Sequence, residues 1–245
     1  MNSAVTQDYW DKAYKNLPLV YDPDRIEFRD LFNRYLLPGG TCFEVGCYPG
    51  NFLIYMGKNF GYEVSGIDKT YLVKNQLPMY LAEHGIKIGN LYYGDFLEFE
   101  FDQTYDVVCS FGFIEHFFNF KDIIKKHIEL VKPTGTLIIA CPNFSGLQYF
   151  FRRLVDSENL QHHVMKAMDL PVWGEILNDN GMDILLQGYY RTADFWVDPM
   201  KRGFLASKAI EVIQGLTGAI DKKINWPNSW LSPYMISISQ KRPRR

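Results

Sequence analysis

The sequence has few cysteines and no long apolar run. Its four cysteines, Cys42, Cys47, Cys109 and Cys141, show no CxxC spacing, which argues against a disulfide framework or a zinc ribbon and favours reduced core thiols. No apolar run approaches the roughly 20 residues of a membrane span. The polar start, Met1-Asn2-Ser3, lacks the features of a signal peptide. We therefore expect a cytoplasmic protein.

An excess of basic charge is also lacking. The chain carries 26 Lys and Arg against 28 Asp and Glu, for a formal net charge of −2. Nucleic-acid binders usually present a basic stripe, so we expect no nucleic-acid partner; the short basic tail Lys241–Arg245 is more typical of a solvated terminus. With 47% hydrophobic residues and no internal repeat, the chain can bury one sizeable core. We expect one domain over residues 1–245.

What the sequence does contain is a glycine-punctuated segment from Cys42 to Phe52, CFEVGCYPGNF. Its first half suits a buried parallel strand. Gly46 and Gly50 suit a turn in which the backbone approaches a ligand or takes a positive φ. A helix that begins near Asn51 directs its free N–H groups and its positive dipole end at the space above this turn. The segment predicts a strand, a turn and a helix that bind a nucleotide-like ligand.

Strands and helices alternate regularly through the rest of the chain. We predict strands at residues 41–45, 62–68, 86–93, 105–110, 136–141, 182–190 and 234–240, and helices at 51–60, 71–84, 121–131 and 171–180. This alternation predicts an α/β fold with a Rossmann-like, doubly wound sheet of about seven strands, mostly parallel. The last strand alternates in polarity and is predicted as an antiparallel edge strand. Ligands of such sheets bind at the carboxyl ends of the strands.

Segments outside this alternation are predicted to cover the sheet. Residues 1–38 form an N-terminal helical cover, with Tyr9, Trp10 and Tyr14 at helical spacing and a second helix capped by Asp24. Residues 144–170 and 198–232 read as helical inserts that resemble lids. The first insert carries Arg152, Arg153, His162 and His163. They suit either a clamp on an anionic acceptor or a solvated helix face.

Acidic residues follow the predicted strands at the expected ligand edge. Asp68 lies about 22 residues beyond Gly46, near the roughly 20 expected of an acid that binds ribose hydroxyls; the alternative is a helix cap. Asp95 suits either an adenine contact or a turn. Glu44 ends a buried strand and needs a donor, for which the backbone N–H groups of the loop are the candidates.

Taken together, the motifs resemble the class I S-adenosylmethionine-dependent methyltransferases from Tyr9 to Gln240. The spacing Gly46-x-x-x-Gly50 fits a nicotinamide-binding GxGxxG less well. The resemblance implies S-adenosyl-L-methionine as the cofactor and S-adenosyl-L-homocysteine as the product. It implies cofactor contacts from Tyr9, Trp10, Glu44, Gly46, Cys47, Gly50, Asp68, Lys69, Asp95, Phe96, Ser110 and Phe111.

The sequence departs from that family at informative places. Tyr48 stands where the family loop usually has another glycine. The segment Ser110–Phe113 differs from the Asn/Asp-Pro-Pro-Tyr of amino-methylating DNA enzymes, so we do not expect nucleobase amines as acceptors. Ile114-Glu115-His116 is similar to the Leu-Glu-His of quinone-type O-methyltransferases. Gly112 stands where some of those enzymes have a further acid that helps to hold a divalent metal, and we expect no metal here.

The acceptor is the open part of the prediction. His116 is the candidate general base, since its ordinary pKa is near neutrality; a locally bonded structural histidine is the alternative. Residues 142–146 and the insert that follows them resemble the same region of bacterial enzymes of surface-glycan biosynthesis. We therefore first expect the methyl acceptor to be a hydroxyl of a small molecule or a saccharide. A quinone or other aromatic hydroxyl, or a cofactor-binding regulator without catalysis, is the alternative. The candidate acceptor contacts are Arg152, Arg153, His163, Tyr190 and Arg191.

Overall fold

A computed structural model describes residues 3–197 and 204–243. Its strands are β1 Thr41–Val45, β2 Glu63–Asp68, β3 Ile88–Tyr93, β4 Tyr105–Phe111, β5 Val131–Pro142, β6 Met182–Tyr190 and β7 Tyr234–Lys241. Its helices are α1 Gln7–Tyr14, α2 Arg29–Tyr35, α3 Asn51–Phe60, α4 Leu72–Asn75, α5 Leu77–Glu83, α6 Phe120–Glu129, α7 Gly146–Val155, α8 Ser157–Gln161, α9 Leu170–Asp179 and α10 Phe204–Lys223, with 3-10 turns at Pro23–Arg25, Ile114–His116 and Met165–Ala167. The start of the second predicted insert, residues 198–203, and the last two residues of the basic tail lie outside the described part.

The seven strands form one sheet in the order β3-β2-β1-β4-β5-β7-β6. Strands β1 to β5 pair in parallel, and β7 is antiparallel to both of its neighbours. The predicted mixed, Rossmann-like sheet and the antiparallel last strand are confirmed. The position of β7 differs from the prediction, because β7 lies between β5 and β6 and leaves β6 at the edge.

The central strands carry apolar side chains on both faces, because both faces of the sheet are covered. In β1, Phe43 and Val45 belong to one buried cluster, whereas Cys42 belongs to the other. Helix α3 packs on the second cluster through Leu53, and α9 packs on the first through Trp173, which is fully buried. This two-sided burial explains why the strands show no polar alternation.

Several element boundaries differ from the sequence-based prediction for local reasons. The predicted helix 71–84 is two helices, and Pro78 starts the second at a position where a missing N–H costs nothing. Strand β5 begins before the predicted breaker at 132–135; its pairing with β4 shifts there, and Thr134 has φ 63°. Asp24 does not cap α2: Asp22 caps the short 3-10 turn instead, by accepting from the N–H of Asp24 at 2.9 Å.

The predicted additions are helical. Residues 144–170 hold α7, α8 and a 3-10 turn, and α10 occupies much of the second insert. Thr6 caps α1 by accepting from the N–H of Tyr9 at 3.3 Å. Among the described residues, no helix has the length and apolar character needed to cross a membrane.

Candidate active site

The loop after β1 takes the conformation that its glycines allow. Gly46 has φ +74° and Gly50 has φ +97°, a region that residues with a side chain rarely adopt. A Cβ on Gly46 would lie 2.8 Å from the ring of Phe113, and one on Gly50 would lie 2.3 Å from Leu77. Both glycines are therefore required by backbone conformation and by close packing.

The amides of this loop are used within the protein. The N–H groups of Gly46 and Cys47 donate to the carbonyl of Ile67, at 2.9 and 3.2 Å. The N–H of Tyr48 donates to a carboxylate oxygen of Asp68 at 3.0 Å. These three amides therefore already have partners, and a ligand here gains close approach to the backbone rather than those donors.

Glu44 acts from inside the protein. Its side chain is buried, burial raises its pKa well above the ordinary value, and the N–H of Leu53 opposes that rise. Leu53 lies in the first turn of α3, where N–H groups have no partner within the helix. The prediction named the loop amides as the donors to Glu44; the donor in the structure is instead an N–H at the start of α3, which links β1 to that helix.

Asp68 connects the two loops at the ligand edge of the sheet. Besides the N–H of Tyr48, it accepts from the N–H of Thr70 at 2.9 Å. Burial raises the pKa of Asp68 to about 6, although these backbone donors favour the carboxylate. Gly46 and Asp68 line the same cavity, which is the arrangement that a site for the ribose of a nucleotide requires.

This cavity is small, and aromatic side chains are the largest group among its lining residues. Its volume is about 170 Å³, below the roughly 300–1,000 Å³ of typical ligand sites. Helix α1 covers it: Gln7 donates to the carbonyl of Lys69 at 2.9 Å, and the Tyr14 ring lies 5.0 Å from that of Tyr48. The aromatic lining residues are Trp10, Tyr14, Tyr48, Phe111, Phe113 and Phe117, with His116 among them.

The predicted adenine side is only partly at this cavity. Lys69 lines it and forms a 2.6 Å ion pair with Asp95. Burial alone would raise the pKa of Asp95, but Lys69 lowers it below its ordinary value. Phe96 is 3% exposed and packs in the core. Tyr9 packs against His162, with ring centroids 4.3 Å apart, and the buried Ser110 hydroxyl has no hydrogen-bond partner among the described residues. These cofactor contacts stay predictions.

His116 is one of the residues that line the cavity. Its Nδ1 lies 2.8 Å from the carbonyl of His162; a carbonyl only accepts, so Nδ1 carries the proton and Nε2 the lone pair. Burial lowers the pKa of His116 to about 4, and the carbonyls of His162 and Gly112 oppose that shift. The ring is therefore neutral near neutral pH, with its lone pair on Nε2.

Two side chains lie beside it: the buried Glu115, its neighbour in the sequence, and the partly buried His163, which comes from the first insert. Glu115 is 1% exposed, and burial raises its pKa to about 8. The His163 ring centroid is 4.8 Å from that of His116, and burial lowers the pKa of His163 to about 3. His163 belongs to the predicted acceptor set but does not line the cavity.

The predicted arginine clamp is not at the cavity. Arg152 is fully buried, stacked 3.9 Å from the ring centroids of both Phe144 and Trp196, and it pairs with Asp156 at 3.2 Å. Arg153 is exposed on the same helix. The structure thus gives Arg152 a core role that a helical pattern does not reveal.

The other predicted acceptor residues also have partners elsewhere. Arg191 forms ion pairs with Glu27, Asp194 and Asp221, the last at 2.7 Å. The hydroxyl of Tyr190 donates to Asp30 at 2.7 Å. Sequence reasoning missed Phe113 and Phe117, whose approach depends on the turn after β4 and has no local signal. The helical spacing of Trp10 and Tyr14 did carry a signal for the cover over the cavity.

The fold and this edge of the sheet define a Rossmann-like nucleotide-binding protein. Residues 23–187 match the family described as methyltransferase domain, and the chain belongs to that family. The expected methyltransferase class, with S-adenosylmethionine as its cofactor, is confirmed at the level of the family.

Named relatives agree with this assignment. The ubiquinone biosynthesis O-methyltransferase of Caulobacter vibrioides is 28% identical over 153 residues, 58% of this chain and 60% of that protein. The enzyme of the same name from Rickettsia typhi is 28% identical over 196 residues, 74% of this chain and 76% of that protein. This chain thus spans about 60% of the first of them. A putative methyltransferase of Bacillus halodurans C-125 shares the fold, with TM-score 0.63, 16% identity and coverage of 89% of this chain and 99% of that one.

Proposed function

We propose that this protein transfers the methyl group of S-adenosylmethionine to a hydroxyl oxygen of a small aromatic acceptor. The observation that carries the proposal is one cavity whose lining includes Gly46, Asp68, several aromatic side chains and His116. The name of the Caulobacter vibrioides relative, an O-methyltransferase of ubiquinone biosynthesis, supports the same acceptor class.

An aromatic acceptor is favoured over a saccharide by the walls of the cavity. Flat apolar side chains bury a flat apolar ring well, whereas sugar hydroxyls need several hydrogen-bond partners. The arginines that suggested an anionic or glycan acceptor pair elsewhere: Arg152 with Asp156, and Arg191 with three carboxylates. The glycan acceptor stays a prediction, now with less support than the aromatic one.

Binding requires α1 to move. The cofactor and an acceptor together need more room than about 170 Å³, and α1 has no buried residue of its own. Its displacement therefore costs little apolar burial. Once both ligands are bound, holding sulfur, methyl carbon and acceptor oxygen in line supplies much of the acceleration. Loss of the His116 side chain is then expected to lower kcat with little change in cofactor affinity.

The test is a methyl-transfer assay with labelled S-adenosylmethionine and two acceptor panels, one of catechol-type phenols and one of glycosides. We expect label in the phenols only. Transfer to glycosides alone would overturn the aromatic assignment. Calorimetry with the cofactor and with S-adenosylhomocysteine runs in parallel: micromolar binding of both without transfer to any acceptor would favour the regulatory alternative.

A further inference from the structure

Helix α10 turns one of its faces toward the rest of the protein. Ile210 is buried, and Nε2 of Gln214 donates to the carbonyl of Phe195 at 3.1 Å. Further along the helix, the carboxylate of Asp221 accepts from Nε of Arg191 at 2.7 Å. These three positions of α10 are four and seven residues apart, as on one face of a helix. This inner face fixes α10 to the segment that follows β6.

The opposite face of α10 is apolar and exposed. Val212, Leu216 and Ile220, spaced by four residues, are 61%, 63% and 42% exposed. Ile224 and Trp226 follow just beyond the end of the helix, and both are exposed. We call these five side chains the outer stripe. A helix at the surface of a globular protein normally has a polar outer face, so an exposed apolar row of this length indicates an interaction surface.

Charged side chains beside the outer stripe favour a second copy of this chain as its partner. Glu211 lies near the start of the stripe, and Lys222 and Lys223 lie near its end; all three are exposed. Leu216 is five residues after Glu211 and six before Lys222. A two-fold axis at Leu216 pairs α10 with an antiparallel copy of itself. Glu211 of each helix then lies beside Lys222 and Lys223 of the other, whereas a parallel pair would bring like charges together.

Two local features of α10 let a second helix approach. A Cβ on Gly215, next to Leu216, would meet no described atom within 4 Å. Glycine destabilises the interior of a helix relative to alanine; packing among the described residues does not require it here, and close contact with another helix would. Glu211 is paired with Lys208 at 2.6 Å, but both side chains are more than half exposed. Such a pair is weak and can exchange partners.

We propose that α10 pairs through the outer stripe with α10 of a second copy of this chain, antiparallel about a two-fold axis at Leu216. The stripe and its flanking charges involve fewer residues than the roughly 20–30 per side of a standard interface. We therefore expect a dimer that dissociates in the micromolar range. An anionic lipid surface suits the outer stripe less well, because the carboxylate of Glu211 lies beside it. This pairing is independent of the proposed methyl transfer.

The experiment measures self-association of the full chain by sedimentation velocity, from low to high micromolar concentration. We expect the wild type to pass from monomer to dimer. Leu216→Glu places two carboxylates at the two-fold axis and should weaken the dimer at least tenfold. Met79→Glu is the matched control, since Met79 on α5 is exposed to a similar extent, 66%; it should dimerise as the wild type does. All three proteins should show the same helix content by circular dichroism.

Exchanging the charges tests the antiparallel arrangement and provides its own control for folding. Glu211→Lys, and separately the double variant Lys222→Glu with Lys223→Glu, should each dimerise at least tenfold more weakly than the wild type, because each sets like charges against each other. An equal mixture of the two proteins should form a mixed dimer with an affinity near that of the wild type. In that dimer every contact between flanking charges again joins opposite signs.

The outcomes separate the dimer from other uses of the outer stripe. Monomer at every concentration, or equal weakening by Leu216→Glu and Met79→Glu, would overturn the pairing. A mixture of the charge-exchanged proteins that stays monomeric would overturn the antiparallel arrangement. Flotation of a monomeric wild type with vesicles of equimolar phosphatidylcholine and phosphatidylglycerol, lost in Leu216→Glu, would assign the stripe to a lipid surface instead. Methyl transfer enters none of these measurements, so failure of the proposed function would leave the dimer in place.

Discussion

Replacing Asp68 by alanine tests the cofactor site directly, because this carboxylate is buried at the ligand edge and held in place from two sides. Its two oxygens accept from Tyr48 at 3.0 Å and from Thr70 at 2.9 Å. The N–H of Lys69 also favours the charged form; since a carboxylate offers about four acceptor positions, at least one remains for the ribose hydroxyls. We expect Asp68→Ala to keep the fold and to lose those bonds.

The size of the effect follows from the number and charge of the lost bonds. A hydrogen bond to a charged group contributes about 1.5–3 kcal/mol. Part of the loss is recovered, because the ribose hydroxyls can bond to water instead. We expect a net loss of about 2–3 kcal/mol, or a Kd for S-adenosylmethionine raised roughly 30- to 150-fold, measured by calorimetry.

Asp106→Ala is the matched control. Asp106 also accepts from a backbone N–H, that of Thr41 at 2.8 Å, and pairs with Lys132 at 2.9 Å. It lies near the start of β4, at the end of the strands opposite to the ligand site. Asp106→Ala should lower the free energy of unfolding and leave cofactor affinity unchanged. Equal affinity in wild type and Asp68→Ala would refute the assignment of Asp68 to the ribose.

The pKa of Asp68 predicts that stability and cofactor affinity depend on pH in opposite directions. Its pKa in the folded protein, about 6, lies above the ordinary 3.8, so protonation favours the folded state. The resulting stability is fully present below pH 3.8 and is lost as the pH rises through about 6, a change of about 3 kcal/mol at ~1.4 kcal/mol per pH unit. Cofactor affinity should instead fall as the pH drops below about 6, since the carboxylate is the better acceptor. Asp68→Ala should abolish both dependences.

Two further pairs of variants test the packing around the site by urea unfolding. Gly46→Ala should lower the free energy of unfolding by about 2–4 kcal/mol, because it adds a 2.8 Å contact with Phe113 to the strain of a positive φ. Gly61 has φ +70° and nothing within 4 Å, so Gly61→Ala should cost only about 1–2 kcal/mol of backbone strain. Arg152→Ala should cost about 3–5 kcal/mol by removing the cationic partner of the buried Asp156 carboxylate, and Arg153→Ala less than about 0.5 kcal/mol. Equal costs within either pair would contradict the assigned contacts.

The parts of the fold that were predicted correctly have local causes. The bounds of α3, Asn51–Phe60, follow from a glycine at each end, both with positive φ. The strands of the central sheet follow from continuous apolar runs, which two-sided burial requires. The sequence of β7 does not indicate its position in the sheet. An antiparallel strand of this pattern can pair equally well at the edge of a sheet or in its interior.

The functional residues divide in the same way. Gly46 and Asp68 were predicted to lie together, since parallel strands bring their carboxyl ends to one edge. Arg152 was not predicted to be buried, because its aromatic partner Trp196, whose carbonyl accepts a hydrogen bond from the guanidinium, lies 44 residues away in the sequence. His116 contacts the carbonyl of His162, which lies 46 residues further along the sequence. Such long-range contacts depend on how an insert packs against the rest of the fold, and helical periodicity carries no information about that packing.

Tyr48 shows how a family position can change its side chain and keep its backbone role. The N–H of Tyr48 orients Asp68, and any residue at this position offers that donor. The side chain serves a different purpose: its ring packs 5.0 Å from Tyr14 in α1, and its hydroxyl donates to Gln76 at 3.0 Å. A glycine here would free the cavity and remove one contact that holds α1 over it. We therefore attribute the closed, aromatic cavity of this protein to the pairing of Tyr48 with α1.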